Sequence, residues 1–263
     1  MFQSSIYQTN KMGSVASKVA QPYVFPGTQQ SIGFSDDIEL LPTDDPNYYI
    51  PYIHLQQNSP RAIVFYSHGN AENLYSCLDF LKYVSKELCV DIISWDYAGY
   101  GQHKLNDTVQ PNEANVYKDA LNIFDWIQAH ACYRNGNKPI LVFGRSLGSA
   151  PAIYVASQRP NAVQGLIVES GFRSISRVVS NTLHNLFDIF DNEKYIKQIQ
   201  MPALFIHGKK DPVVPFAHGE CLHELCACEK KYNFWIPNGH HNDLESSYHK
   251  EIFIRLNGLI DNL

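Results

Sequence analysis

The stretch Gly144-Arg145-Ser146-Leu147-Gly148 lies between an apolar segment, residues 139–143, and a helix-forming segment, residues 149–156. The first segment predicts a buried parallel strand, and the second predicts the start of a helix. A strand that turns directly into a helix strains the central residue and presses the turn against its neighbours. Gly144 and Gly148 leave space for that approach. We therefore predict a sharp turn that exposes the Ser146 hydroxyl at the end of a central strand.

The remaining sequence alternates short apolar strands with amphipathic helices. Strands are predicted at 38–41, 48–55, 61–67, 90–95, 139–143, 163–170, 201–208 and 232–237, and helices at 72–88, 113–130, from 149 onward and at 244–259. This order predicts βαβ units, and hence an α/β fold with a mostly parallel central sheet and helices on both faces. The first two strands contain or adjoin prolines, which predict an edge position.

The chain is predicted to have one main domain, residues 34–263, preceded by a flexible polar arm, residues 1–33. The arm contains Met12-Gly13, which resembles an N-myristoylation signal on condition that translation starts at Met12; we interpret it as coincidence. Residues 171–200 separate two strands, and we predict that they form a small helical cap over the pocket or simply the connecting helix. The cap segment contains the apolar residues Leu183, Leu186, Phe187, Ile189 and Phe190.

Composition excludes several classes of protein. The net charge of −5, without a long basic run, argues against a nucleic-acid partner. No stretch reaches the roughly 18 apolar residues that span a bilayer, and no secretory signal is visible. We expect a cytoplasmic protein with reduced thiols. Cys221, Cys226 and Cys228 lack the spacing of a zinc site, so we predict buried thiols on a helix and no metal or other cofactor.

Two downstream loops supply partners for a serine nucleophile. A serine hydroxyl needs a base to take its proton, and the base needs a third group to hold its tautomer. Asp211 follows a predicted strand and is the candidate acid, although Asp-Pro is also a turn former. His240 and His241 follow the last strand and are candidate bases. The order Ser, Asp, His is that of the α/β-hydrolase fold.

An oxyanion produced by this chemistry needs two backbone donors. One predicted donor is the amide of Leu147, directly after the nucleophile. The other is the amide of Asn70, in the loop after the strand that ends at Ser67. His68 precedes the nucleophile in the chain, so we interpret it as structural rather than as a base.

Five motifs together resemble a known family: His68–Ala71, Asp96–Gly101, Gly144–Gly148, His207–Asp211 and His241–Asp243. They are similar to those of the alpha/beta hydrolase domain-containing protein 17 group, serine hydrolases that remove palmitate from cysteines of membrane-bound proteins. The resemblance covers residues 34–260. It implies an acylated protein as the substrate, and a small acyl ester or thioester is the other substrate that we expect.

The sequence departs from that group in two places. The group carries an acylated N-terminal cysteine cluster that holds the enzyme at membranes, whereas the first cysteine here is Cys77. This difference argues against the same membrane anchor. We expect a cytoplasmic location, with peripheral membrane contact as the alternative. The group also has glycine before its histidine, where this chain has His240. Alignment of the His-Asn-Asp motif makes His241 the base, and His240 stays the alternative.

We therefore expect a serine hydrolase that acts through an acyl-enzyme on thioester or ester bonds, and the resemblance implies a palmitoyl-protein thioesterase. A carboxylesterase, a lipase or a small-peptide hydrolase is the alternative within the same class, because the turn around Ser146 does not choose the leaving group. The alternative from another class is a non-catalytic binding module on the same fold. The sequence does not indicate the oligomeric state.

Overall fold

The structure is a computed structural model of the 263-residue chain, and it describes residues 25, 32–105, 111–130, 138–179 and 188–263. The predicted arm, with Met12, lies outside the described residues except for Phe25, Ile32 and Gly33. Three residues of the predicted cap, Leu183, Leu186 and Phe187, also lie outside them.

The described residues form one eight-stranded sheet in the order β1-β2-β4-β3-β5-β6-β7-β8. The strands are β1 (Ile38–Pro42), β2 (Tyr49–Leu55), β3 (Ile63–Ser67), β4 (Asp91–Trp95), β5 (Ile140–Arg145), β6 (Gly165–Glu169), β7 (Ala203–Gly208) and β8 (Lys231–Ile236). β2 pairs antiparallel with β1 and β4, and all other pairs are parallel. The predicted mostly parallel sheet is confirmed.

The edge position predicted for the first two strands is correct for β1 and wrong for β2. β2 lies between β1 and β4, although it contains Pro51, which has no N–H to donate. Pro51 is tolerated because it lies opposite the end of β4, where its carbonyl accepts a hydrogen bond from the Asp96 amide at 3.0 Å. A proline at the end of a ladder removes little of the pairing.

Helices cover both faces of the sheet. They are α1 (Leu74–Leu88), α2 (Glu113–Ala129), α3 (Ser149–Gln158), α4 (Ile175–Val179), α5 (Asn192–Ile196), α6 (Ala217–Leu225), α7 (Leu244–Ser247) and α8 (His249–Ile260). Neighbouring residues of one strand enter opposite cores: Phe65 packs with α2 and α3, whereas Val64 packs with α1 and α8. Because side chains alternate along a strand, a strand covered on both faces is apolar throughout.

Backbone conformation explains two differences from the predicted helix limits. α1 begins after Asn73, whose side chain accepts a hydrogen bond from the Ser76 amide and caps the helix two residues later than predicted. The closing helix was predicted as continuous over 244–259, and this was wrong. Tyr248 has a non-helical φ of −128° and ψ of 15°, which separates α7 from α8.

Asp119 is a buried carboxyl group on α2, away from the candidate site. Its side chain is fully buried, and Tyr48, just before β2, donates a hydrogen bond to its Oδ2. Burial raises the pKa of Asp119 from 3.8 to about 7, against the opposite effects of the Tyr48 hydroxyl and the Lys118 charge. The folded protein therefore holds a proton that the unfolded chain releases near pH 4.

We predict that Asp119→Asn removes a pH-dependent loss of stability. A pKa that is raised on folding makes the free energy of unfolding fall as pH rises from about 4 to about 7, by as much as ~4 kcal/mol. Asparagine cannot ionise, so the variant should lose this slope and unfold at higher temperature at pH 8. Thermal unfolding at several pH values measures it.

Asp125→Asn is the matched control, because Asp125 lies on the same helix and pairs at the surface with Arg159. This control should keep the slope of the parent protein. Equal slopes for Asp119→Asn and the parent protein would contradict the prediction.

Candidate active site

The turn after β5 is as sharp as the sequence predicts. Ser146 has a φ of +51°, in the left-handed region that non-glycine residues rarely adopt. A Cβ atom on Gly148 would lie 1.9 Å from the Ser67 carbonyl oxygen, and one on Gly144 would lie 2.2 Å from the Gly148 carbonyl oxygen. Any side chain at either position would force β3 and α3 away from Ser146.

Ser146, His241 and Asp211 come together from three separate loops. The Ser146 Oγ lies 3.0 Å from the His241 Nε2, and the His241 Nδ1 lies 2.7 Å from the Asp211 Oδ2. All three side chains are largely buried. The arrangement can carry a proton from the hydroxyl to the imidazole, with the carboxylate holding the imidazole in one tautomer.

Asp211 is held by more groups than the sequence indicated. Its Oδ1 accepts hydrogen bonds from the amides of Val213 and Val214, both at 2.8 Å. His207, fully buried at the end of β7, places its Nε2 3.5 Å from the Asp211 Oδ2. Burial raises the pKa of Asp211, but the hydrogen bonds from His207 and His241 outweigh it and hold that pKa well below 3.8. The carboxylate is therefore ionised at neutral pH.

The two adjacent histidines have different surroundings. His241 is 7% exposed and contacts both Ser146 and Asp211. The ring of His240 is 53% exposed, and its Nδ1 lies 3.0 Å from the Asp243 Oδ2. Of the two candidate bases, His241 is the one in contact with the hydroxyl.

The predicted oxyanion residues, Asn70 and Leu147, both line a cavity of about 290 Å³ beside Ser146. The loop that carries Asn70 is held by two buried tyrosines. Tyr100 donates a hydrogen bond to the Asn70 Oδ1, and Tyr97 donates one to the His68 carbonyl at 2.5 Å. These contacts give the Asp96–Gly101 motif a physical role, which is to hold the loop next to the candidate nucleophile.

The contacts of His68 agree with the predicted structural role of this residue. Its ring is fully buried and stacks on Tyr97 with centroids 4.2 Å apart. Its Nε2 lies 3.5 Å from the Asp96 Oδ1, which also accepts a hydrogen bond from the first amide of α1. The His68 side chain therefore connects the loop after β3 to the loop after β4.

One side of the cavity is apolar. Its wall consists of side chains from the α4 region and from the loop after β7: Phe172, Ile175, Val178, Val213 and Val214. The predicted cap segment therefore contributes to the pocket through its first helix. Phe190, which belongs to the same predicted cap, instead packs in the core against Tyr117, with ring centroids 5.4 Å apart. The sequence alone could not show which apolar residues of this segment line the pocket and which pack in the core.

The cysteines predicted to lie on one helix are only partly there. Cys221 lies on α6, whereas Cys226 ends that helix with an extended ψ of 125°, and Cys228 follows in the loop. The Cys226 and Cys228 sulfur atoms are buried and 3.3 Å apart. Over the described ranges, no group of three metal-ligating side chains is present, and no helix has the length and apolar character needed to cross a bilayer.

Comparison with known families agrees with this fold. The family described as serine aminopeptidase S33, a group of hydrolases, matches residues 58–192, which is about half of the chain. The chain belongs to the alpha/beta hydrolase superfamily. The matched residues, 58–192, include the Asn70 loop and Ser146, whereas Asp211 and His241 lie beyond them.

Relatives of this alpha/beta hydrolase were found among both sequences and structures. It is 31% identical to the alpha/beta hydrolase domain-containing protein aho-3 of Caenorhabditis elegans over 78% of this chain and 58% of that protein. It is 30% identical to alpha/beta hydrolase domain-containing protein 17B of Homo sapiens over 74% of this chain and 65% of that protein. The Pyrococcus furiosus esterase Pf2001 superposes with a TM-score of 0.68 at 13% identity, covering 89% of this chain and 95% of the esterase. The chain spans about three fifths of the length of the curated relatives named here.

We expect His241→Ala to lower the rate of p-nitrophenyl butyrate hydrolysis by roughly 10⁴-fold or more, since no other base contacts the Ser146 hydroxyl among the described residues. His240→Ala is the matched control and should retain nearly the full rate. Steady-state kinetics of both variants measures this. Loss of activity in His240→Ala alone would contradict the assignment.

We expect Tyr100→Phe to lower kcat for the same ester by about tenfold, because the Asn70 loop loses a half-buried hydrogen bond that fixes its position. KM should change little. Tyr52→Phe is the control, because Tyr52 donates a half-buried hydrogen bond to Glu39 at the far edge of the sheet. A Tyr100→Phe enzyme with the parent kcat would argue against a role for this contact.

Proposed function

We propose that this alpha/beta hydrolase is a serine hydrolase that forms an acyl-enzyme at Ser146. The observation that carries the proposal is the continuous contact from the Ser146 Oγ through the His241 imidazole to the Asp211 carboxylate, at 3.0 and 2.7 Å. A binding module that had merely kept the fold would have no need for these contacts in a buried pocket. The non-catalytic alternative is therefore disfavoured.

In the first half-reaction, the His241 Nε2 takes the hydroxyl proton while the Ser146 Oγ attacks the carbonyl carbon of the substrate. The amides of Leu147 and Asn70 stabilise the negative oxygen of the tetrahedral intermediate. His241 then gives its proton to the leaving thiol or alcohol as the carbon–sulfur or carbon–oxygen bond breaks. In the second half-reaction, water loses a proton to His241 and attacks the carbonyl carbon of the acyl-enzyme. The bond between that carbon and the Ser146 Oγ then breaks, the acid is released, and His241 returns the proton to the Ser146 Oγ.

The proposed substrate is an ester or thioester with an apolar acyl chain. The wall formed by Phe172, Ile175, Val178, Val213 and Val214 offers an acyl chain a dry surface directly beside Ser146. The similarity to the alpha/beta hydrolase domain-containing protein 17 group supports the narrower proposal of a palmitoyl-protein thioesterase acting on an acylated protein.

Two alternatives remain within the class of hydrolases. A carboxylesterase or lipase uses the same contacts and differs only in the leaving group, and the P. furiosus structural relative is named an esterase. A small-peptide hydrolase is suggested by the family description, serine aminopeptidase. An aminopeptidase must bind the positively charged amino terminus of its substrate, whereas no carboxylate is present among the described residues that line the cavity.

A fluorophosphonate probe separates an enzyme from a binding module. The probe forms a covalent bond with an activated serine, so the parent protein should be labelled and Ser146→Ala should not. The absence of labelling in the parent protein would refute the proposal of a serine hydrolase.

Acyl chain length tests the proposed substrate. We expect kcat/KM for p-nitrophenyl esters and acyl thioesters to increase from acetyl to octanoyl, because each buried methylene contributes about 0.8 kcal/mol. Val178→Trp, which narrows the apolar wall, should lower the octanoyl-to-acetyl ratio of kcat/KM by about tenfold, since loss of one or two buried methylenes costs ~1.4 kcal/mol. The rate with acetyl should be unaffected.

The matched control is Ile254→Trp, which places the same side chain at an exposed apolar position on α8. A parent enzyme with no preference beyond acetyl would refute the apolar acyl chain while leaving the serine hydrolase intact.

A further inference from the structure

Arg145, the residue directly before the candidate nucleophile, carries a buried charge. Its side chain is 9% exposed, and the carboxyl groups of Glu72, Glu169 and Glu245 lie within 3.5 Å of it. The Nη1 donates a hydrogen bond to the Glu72 Oε1 at 2.5 Å, and the Nε lies 3.5 Å from both the Glu169 Oε1 and the Glu245 Oε1. A buried guanidinium without such partners would be strongly destabilising. The cluster therefore compensates the charge of the guanidinium. Compensation alone would not require contacts with the two loops beside Ser146.

Glu72 connects this guanidinium to the oxyanion loop. Its Oε1 accepts from Arg145, and its Oε2 accepts from the backbone amide of Gly69 at 2.5 Å. Gly69 directly precedes Asn70. A Cβ atom on Gly69 would lie 2.9 Å from both the Arg145 Nη1 and the Glu72 Oε2, so the loop lies directly against the ion pair.

The other nitrogen of the guanidinium is directed at the loop that carries the base. The Arg145 Nη2 donates to the backbone carbonyl of His241 at 3.3 Å and lies 3.3 Å from the Asn242 Oδ1. A guanidinium presents several donors in one rigid plane, so one side chain can hold two loops at a fixed separation. A lysine has a single nitrogen and could not reach both.

The carboxyl groups outnumber the positive charge. Burial and the Glu169 charge together raise the pKa of Glu245 to about 8, and Arg145 opposes both effects. Burial likewise raises the pKa of Glu169, and Arg145 again lowers it. Glu245 is therefore largely protonated at neutral pH, and Arg145 limits the effect of burial on the carboxyl groups of the cluster.

We propose that Arg145 and Glu72 form a positioning pair that holds the Asn70 loop and the His241 loop at their working distances from Ser146. The pair acts through the Gly69 amide and the His241 carbonyl and not on the reacting atoms. This inference rests on the proposed serine hydrolase function, because it assigns a role to these contacts in that reaction.

The test compares Arg145→Met, Glu72→Gln and the double variant. We measure kcat and KM for p-nitrophenyl butyrate, with kcat expressed per site that reacts with a fluorophosphonate during a long incubation. Each single variant should lose about 10- to 100-fold in kcat per reactive site, with KM within about twofold, as for a small displacement of catalytic groups. The double variant should lose no more than Arg145→Met alone, because the two residues act as one unit.

Arg159→Met is the matched control. Arg159 also forms a two-contact ion pair with an aspartate, Asp125, but at the surface and away from the cavity. Its removal should leave kcat per reactive site unchanged. Arg145→Lys and Glu72→Gln decide the matter if Arg145→Met does not fold, because both keep the size of the side chain and should still lose at least tenfold.

Three results would overturn the inference. One is a parent-like kcat per reactive site in Glu72→Gln and the Arg145 variants. Another is a purely structural effect, in which fewer sites react but the remaining sites turn over at the parent rate. The third is a double variant whose loss equals the product of the single losses. A parent protein that does not react with the fluorophosphonate would instead refute the proposed function, and this inference with it.

Discussion

The left-handed backbone at Ser146 is the constraint on which the site depends. β5 can turn into α3 within three residues, Ser146–Gly148, because Gly148 lies against the Ser67 carbonyl, where a Cβ atom would be only 1.9 Å away. The same turn brings the start of α3 beside the end of β3. The hydroxyl and both candidate oxyanion loops therefore meet at one point of the sheet edge, and the strain is compensated by burial on all sides.

The remaining loops are held there by buried polar contacts rather than by apolar packing. Tyr97 and Tyr100 hold the loop after β3, and two backbone amides and His207 hold Asp211. Such contacts add little net stability, because each buried polar group loses its water. Their value is geometric, since a hydrogen bond fails at small displacements that an apolar contact tolerates.

The sequence was sufficient for the fold class, the strand order in the chain and the three side chains that meet at the site. These follow from local patterns: apolar strands, a Gly-x-Ser-x-Gly turn, and an acid and a histidine that each follow a strand. The sequence was insufficient where the position of a residue depends on how close two remote segments of the chain lie in space. Pro51 in an inner strand, Phe190 in the core and the choice between His240 and His241 all belong to this kind, although the motif alignment favoured His241.

Arg145 and His207 also show what the sequence could not predict, namely the contacts of a side chain. Both lie inside motifs that the sequence singled out, yet nothing in those motifs indicates what their side chains contact. The partners of Arg145, among them Glu72 and Glu245, are separated from it by 73 and about 100 positions in the chain. Only the folded arrangement shows that one charge lies between two loops of the site.

The apolar wall contributed by the α4 region has a consequence for how such a protein can diverge. Phe172, Ile175 and Val178 belong to the connection between β6 and β7, which carries none of the three residues Ser146, Asp211 and His241. Exchange of side chains in this connection can therefore alter the shape of the cavity without disturbing the contacts among those three residues. This part of the wall lies on a different stretch of polypeptide from Ser146, Asp211 and His241, so its side chains can differ between related proteins while the three contacting residues stay the same.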